Sequence, residues 1–150
     1  MQILVIGSGL MGPAAAYNAL SDPAVTQVTL ADKDPAQLEA ARARLAPLVA
    51  NGARLQTAQI DLADEAATAN LIARHDAVVA ALPSAVLPLG IRAAIAARTP
   101  WIDLSRPADS ELPALAKAAN AVVVTVNYRL GIFGFLNLAQ LKDGASAAGD

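Results

Sequence analysis

The residues best suited to chemistry lie near the start of the chain. Gly7-Ser8-Gly9-Leu10-Met11-Gly12 has the form G-x-G-x-x-G. An acid, Asp32, follows about twenty residues after its last glycine. Each glycine answers a different steric demand. Gly7 permits a tight turn, Gly9 lets backbone approach a diphosphate, and Gly12 lets a helix pack close to a strand. Free N–H groups at a helix start, at the positive end of its dipole, then favour the anion. Pro13 falls in the first helical turn, where its missing N–H costs little. The pattern alone is weak. A strand before it and a helix after it give it weight.

Asp32 closes the second expected strand, where a carboxylate accepts hydrogen bonds from adenosine ribose hydroxyls. A 2′-phosphate there would meet like charge, so Asp32 favours NAD over NADP. Lys33 follows directly and partly offsets that penalty. Asp61, with Leu62 after it, ends the third strand and falls beside the adenine. Capping a helix is an equally good reading of Asp61. Ala81-Leu82-Pro83 follows the fourth strand, near the central and nicotinamide-side ribose, because ligands gather at the carboxyl ends of such strands. The expected cofactor set is therefore Gly7, Ser8, Gly9, Leu10, Met11, Gly12, Asp32, Lys33, Asp61, Leu62, Ala81, Leu82 and Pro83. No acid–base residue stands out. Lys117, His75 and Tyr128 qualify only by elimination. Asp103 and Ser105, after the fifth strand, would line a small substrate pocket.

These residues need a frame, and the chain alternates in a way that supplies one. Strand-like runs are "QILVIG", "TQVTLAD", "RLQTAQID", "DAVVAAL", "PWIDL" and "AVVVTV". Between them lie five helical stretches. Asp34-Pro35 opens one that should run to Val49, Asp64 caps one ending near Arg74, and another covers Leu87 to Ala97. The last, "DSELPALAKAAN", has Asp109 or Ser110 as its possible cap. Six strands and five helices predict a doubly wound (Rossmann), mostly parallel α/β/α sheet. The expected organisation is a nucleotide-binding domain over 1–126 and an apolar tail over 127–150.

Bulk properties narrow the partners. The chain has 150 residues, 55% of them hydrophobic but only 3% aromatic, which suits helices packed on a sheet. A formal charge of −2 gives no basic field for nucleic acid or an anionic membrane. There are no cysteines, so disulfides, thiolate catalysis and Cys-ligated zinc are excluded, and no metal site is expected. No apolar run reaches the roughly 20 residues of a membrane helix. A cytoplasmic protein is expected.

"MQILVIGSGLMGPAAAYNAL", "VTLADKDPAQLEAA" and "DAVVAALPSAVLPLGIRAAIAARTPWIDLS" resemble the N-terminal domain of saccharopine dehydrogenase-like oxidoreductases, over about residues 1–105. The resemblance implies NAD or NADP binding, with roles for Gly7, Gly9, Leu10, Met11, Gly12, Asp32, Asp61, Leu82 and Pro83. It also implies a second domain that completes the substrate site, which this sequence lacks. A different likeness appears further on. "AVVVTVNYRLGIFGFLNLAQL" (121–141) is similar to type B carboxylesterases, which implies a fusion, natural or made. Those enzymes need an HGGG-type oxyanion loop and a G-x-S-x-G elbow. The first is absent, and the nearest imitation of the second is Gly144-Ala145-Ser146-Ala147-Ala148, with no strand before it.

The tail carries Ile132, Phe133, Phe135, Leu136, Leu138 and Leu141, an apolar set that predicts packing on the sheet edge or on a second copy as a homodimer. Three functions follow in order: an NAD(P)-binding domain of oxidoreductase descent, a dinucleotide-binding module without turnover, and a hydrolase.

Overall fold

A computed structural model describes residues 1–49, 52–105 and 107–119. The chain opens with β1 (Gln2–Ile6), buried after its first residue, and α1 (Met11–Ser21). β2 (Gln27–Asp32) and α2 (Pro35–Leu45) follow. The Asp34 carboxylate starts α2 by accepting from the Ala36 N–H at 2.8 Å, with Pro35 in the first turn. A single 3-10 turn precedes β3 (Leu55–Gln59) and α3 (Glu65–Ile72), which Asp64 caps through the Ala67 N–H at 2.9 Å. β4 (Ala77–Ala80), α4 (Leu87–Ala97), β5 (Trp101–Asp103) and α5 (Leu112–Ala119) complete the described elements.

All strand pairs are parallel, in the order β3-β2-β1-β4-β5. These are the first five positions of the doubly wound order 3-2-1-4-5-6. Alternation along β1 divides the core. Ile3 and Val5 face one side, with Val28 and Leu30 of β2 and with Ala16, Leu20, Leu38 and Ala41 of α1 and α2. Leu4 and Ile6 face the other, with Ile72 of α3 and Ala93 and Ala94 of α4. Continuous apolar runs are what a sheet covered on both faces requires.

Several expected boundaries shift for local reasons. α2 ends at Leu45 rather than Val49, because Pro47 has no N–H to continue the ladder. β3 stops at Gln59, short of the expected Asp61, although the Ile60 N–H still reaches the Asp32 carbonyl at 2.9 Å. α5 begins at Leu112, later than a cap at Asp109 or Ser110 would place it, with Pro113 in its first turn. Five strands are present among the described residues. The expected sixth strand (121–126) and the tail (127–150) lie outside them, as do Tyr128 and Ser146. Among the described residues, no helix is long and apolar enough to cross a membrane.

One glycine absent from the sequence reading fixes the packing of α4. A Cβ on Gly90 would lie 2.2 Å from the outer carbon (Cη2) of the Trp101 indole. Gly90→Ala is therefore expected to displace the ring and to destabilise the fold by about 1–3 kcal/mol. Urea unfolding followed by the emission of Trp101, the single tryptophan, measures both effects. An unchanged midpoint and spectrum would contradict it.

Candidate dinucleotide site

The glycine loop leaves β1 and is held at both sides. The Gly7 N–H donates to the Ala31 carbonyl at 2.8 Å, and the Ala81 N–H donates to the Ile6 carbonyl at 2.8 Å. Gly7 has φ of 100°, and a Cβ there would sit 2.4 Å from the Ala81 carbonyl oxygen. Only glycine meets both demands. A Cβ on Gly12 would lie 1.7 Å from the Gly7 carbonyl oxygen, so α1 starts hard against the loop. Gly9 differs from both. Nothing lies within 4 Å of its Cβ position, and the residue is exposed. Leu10 and Met11 beside it are also exposed, at 85% and 54%. The loop therefore presents an open face at the start of α1, where backbone N–H groups have no partner within the helix.

Asp32, at the end of β2, reaches back to this loop. Its Oδ2 accepts from the Ser8 N–H at 2.6 Å and from the Ser8 hydroxyl at 2.8 Å, and its Oδ1 accepts from the Asp34 N–H at 3.1 Å. Burial pushes this carboxyl up, but the donors from Ser8, Asp34 and Lys33 outweigh it and hold the group below its usual range. A depressed pKa means that the ionised form supports the fold above the unfolded carboxylate value of about 3.9, and that this support is lost as pH falls through the lower folded value. The thermal stability lost on Asp32→Asn should therefore be largest near neutral pH and shrink in acid. Melting curves of both proteins from pH 7 downward test this; a gap that widens in acid would contradict it.

A cleft of about 650 Å³ opens beside Asp32, at the carboxyl ends of β2 and β3. Lys33, Asp34, Gln59, Ile60, Asp61 and Asp64 are among its lining residues. The Lys33 side chain is exposed, and its carbonyl is held by the Gln59 amide at 3.1 Å. Asp61 is exposed, with Oδ1 accepting from the Ala63 N–H at 3.0 Å. Leu62 turns away from the cleft and is 8% exposed in the core beside Ile72. The available signal for Gln59, absent from the expected cofactor set, was its place near the carboxyl end of the third strand.

The other candidate residues are distributed differently. After β4, Ala81 backs the glycine loop, and the Leu82 carbonyl accepts from the Ser105 hydroxyl. Pro83 is exposed. The Asp103 carboxylate accepts from the Trp101 indole N–H at 2.6 Å. Burial raises the Asp103 carboxyl, and the indole only partly reverses this. Asp103 and Ser105 thus brace the loops after β4 and β5. A second cavity of about 420 Å³ lies next to them, lined by Ser84, Ala85, Pro107, Ala108, Asp109 and Glu111. His75 is remote from all of this. It follows α3 at the amino end of β4, with Nδ1 2.9 Å from the Leu71 carbonyl and Nε2 2.9 Å from the Thr29 hydroxyl. Lys117 is exposed on α5.

A doubly wound sheet, a glycine loop shaped by two steric contacts and an acid at the end of β2 together define a dinucleotide-binding domain. Residues 3–126 match the family described as the saccharopine dehydrogenase NADP binding domain, and the chain belongs to that family. It is an NAD(P)-binding domain. Solved structures carry the same fold. Saccharopine dehydrogenase (L-Glu forming) from Saccharomyces cerevisiae superposes with a TM-score of 0.63 at 23% identity, over 78% of this chain and 25% of that one. Shikimate 5-dehydrogenase from Mycobacterium fortuitum gives a TM-score of 0.58 at 26% identity, over 80% of this chain and 42% of that one. Quinate dehydrogenase from Corynebacterium glutamicum, solved in complex with NAD, gives 0.54 at 20% identity, over 79% and 40%. The chain spans about a quarter of the yeast enzyme's length and less than half of the other two.

Proposed function

We propose that this chain holds NAD(H) in preference to NADP(H) and serves as the cofactor domain of a dehydrogenase. The observation that carries the preference is the ionised Asp32 carboxylate at the end of β2, tied to the glycine loop by Ser8. A ribose diol can donate to such a group, and a 2′-phosphate is repelled by it. The exposed Lys33 softens that repulsion. In this reading the diphosphate lies against Gly9 and the start of α1, the adenine enters the cleft beside Asp61, and the Ala81-Leu82-Pro83 turn borders the nicotinamide-side ribose. The bound nicotinamide would supply hydride chemistry, and the protein would orient it and limit water.

A second reading, binding without turnover, has its own support. Asp103 and Ser105, the residues expected at a substrate pocket, are already committed to Trp101 and to the Leu82 carbonyl. Calorimetric titration with NADH and NADPH tests the cofactor reading, and binding of neither would reject it. Oxidation of amino-acid substrates, followed at 340 nm, separates the two readings.

The boundary near residue 126 is part of the same proposal. The family match ends there, and it takes in the expected sixth strand. Ile102 and Leu104, exposed at 59% and 38% beside the outer edge of β5, offer that strand and the following tail an apolar seat.

A further inference from the structure

The hydrogen bonds of Asp32 raise a question of capacity, and its answer rests on the cofactor reading above. A carboxylate offers about four lone-pair sites. On Asp32, Oδ2 already receives two donors from Ser8, its N–H at 2.6 Å and its hydroxyl at 2.8 Å. Oδ1 receives the Asp34 N–H at 3.1 Å. The acid expected to receive a ribose thus already carries three donors before any ligand arrives.

The three donors are not equivalent. Two are backbone N–H groups, fixed by the glycine loop and by the turn into α2. The third is a hydroxyl on a single rotatable bond, so it alone can leave without moving the chain. Ser8 is 1% exposed, so the serine adds no surface for a ligand to grip. What it adds is one donor on the carboxylate.

We propose that Ser8 is a specificity-determining residue whose hydroxyl occupies the site on Asp32 that a ribose hydroxyl would otherwise take. The hydroxyl has two consequences. A ribose diol brings two donors and finds one site open, so its second hydroxyl must exchange with that of Ser8, and part of the gain is cancelled by the hydrogen bond lost. It also spreads the carboxylate charge, so a 2′-phosphate is repelled less. Ser8 therefore narrows the preference for NAD(H), and it acts through Asp32 rather than by reaction chemistry.

The test uses Ser8→Ala and Ser8→Gly in the full chain, each titrated with NADH and NADPH, with melting temperature as the control for folding. A hydrogen bond to a charged acceptor is worth enough that NADH should bind on the order of five- to ten-fold more tightly to Ser8→Ala. NADPH should not gain, so the ratio of the two affinities should rise by a similar factor. Ser8→Gly, which also lacks the hydroxyl, should move the ratio in the same direction even if its looser loop lowers both affinities. An unmoved ratio in both variants, or equal weakening toward the two cofactors, would overturn the role of Ser8 while leaving the cofactor reading intact. If the unmodified chain binds neither cofactor, the reading of the cleft fails and this inference fails with it.

Discussion

Gly12→Ala is expected to unfold the domain, and Gly9→Ala to leave it folded but unable to hold a dinucleotide tightly. The two substitutions add the same methyl group three residues apart. On Gly12 the new Cβ would lie 1.7 Å from the Gly7 carbonyl oxygen and 2.8 Å from its carbon. Both are backbone atoms, so no side chain can rotate to make room. The Gly7 N–H is itself fastened to the Ala31 carbonyl, so the loop cannot retreat without breaking the end of the β1–β2 pairing. A clash of this kind belongs with the rare substitutions that cost more than about 4 kcal/mol. That is a large part of the roughly 5–15 kcal/mol available to a domain. On Gly9 the same Cβ meets nothing within 4 Å. It would project into the space that a diphosphate needs. Losing one or two hydrogen bonds to a charged ligand should weaken binding about 10- to 100-fold at unchanged melting temperature. Circular dichroism melts and NADH titration of the two variants give the comparison. A folded Gly12→Ala protein, or a Gly9→Ala protein with full affinity, would each contradict the assignment.

The second large effect should come from Asp32→Ala. Two consequences separate cleanly. Removing the carboxylate leaves the Ser8 N–H and hydroxyl and the Asp34 N–H without their acceptor, which lowers stability by about 1–3 kcal/mol. Removing the charge also deletes both the ribose acceptor and the repulsion toward a 2′-phosphate. Affinity for NADH should fall about 10- to 100-fold, while NADPH loses less, so the preference between them reverses. Lys33, exposed beside the cleft, is then the positive charge that a phosphate would meet among the lining residues. Parallel titrations check this. Equal losses for both cofactors would mean that Asp32 supports the loop without reading the ribose. Ser8→Ala should move the same ratio the opposite way.

The frame of the site was legible because it is written locally. Leu87–Ala97 was bounded correctly at both ends, since the helix stops at Arg98, which takes the left-handed conformation at φ 55°. The order of strands and helices, the glycine loop and Asp32 were legible for the same reason: each depends on residues within a short window. Errors arose where a local signal was overruled. The helix opened by Asp34-Pro35 was expected to run to Val49, but Pro47 ends it sooner. Asp61 and Leu62 are neighbours in sequence, yet one lines the cleft and the other is buried in the core. The commitments of Asp103 to Trp101, of Ser105 to Leu82 and of Ser8 to Asp32 were not legible. The last two join residues 23 and 24 positions apart, and their geometry exists only once the sheet has formed.

The strand order also constrains how the domain can be built. β1 sits between β2 and β4. Its first edge finds a partner as soon as Gln27–Asp32 is made. Its second edge must wait for Ala77–Ala80. At about 5–20 residues per second, synthesis takes several seconds to cover that interval. Throughout it, a strand of Ile3, Leu4, Val5 and Ile6 carries unpaired backbone groups and an uncovered apolar face. Such an edge is a template for another chain. The strand that anchors the glycine loop is therefore a point at which the nascent chain is exposed to misassembly.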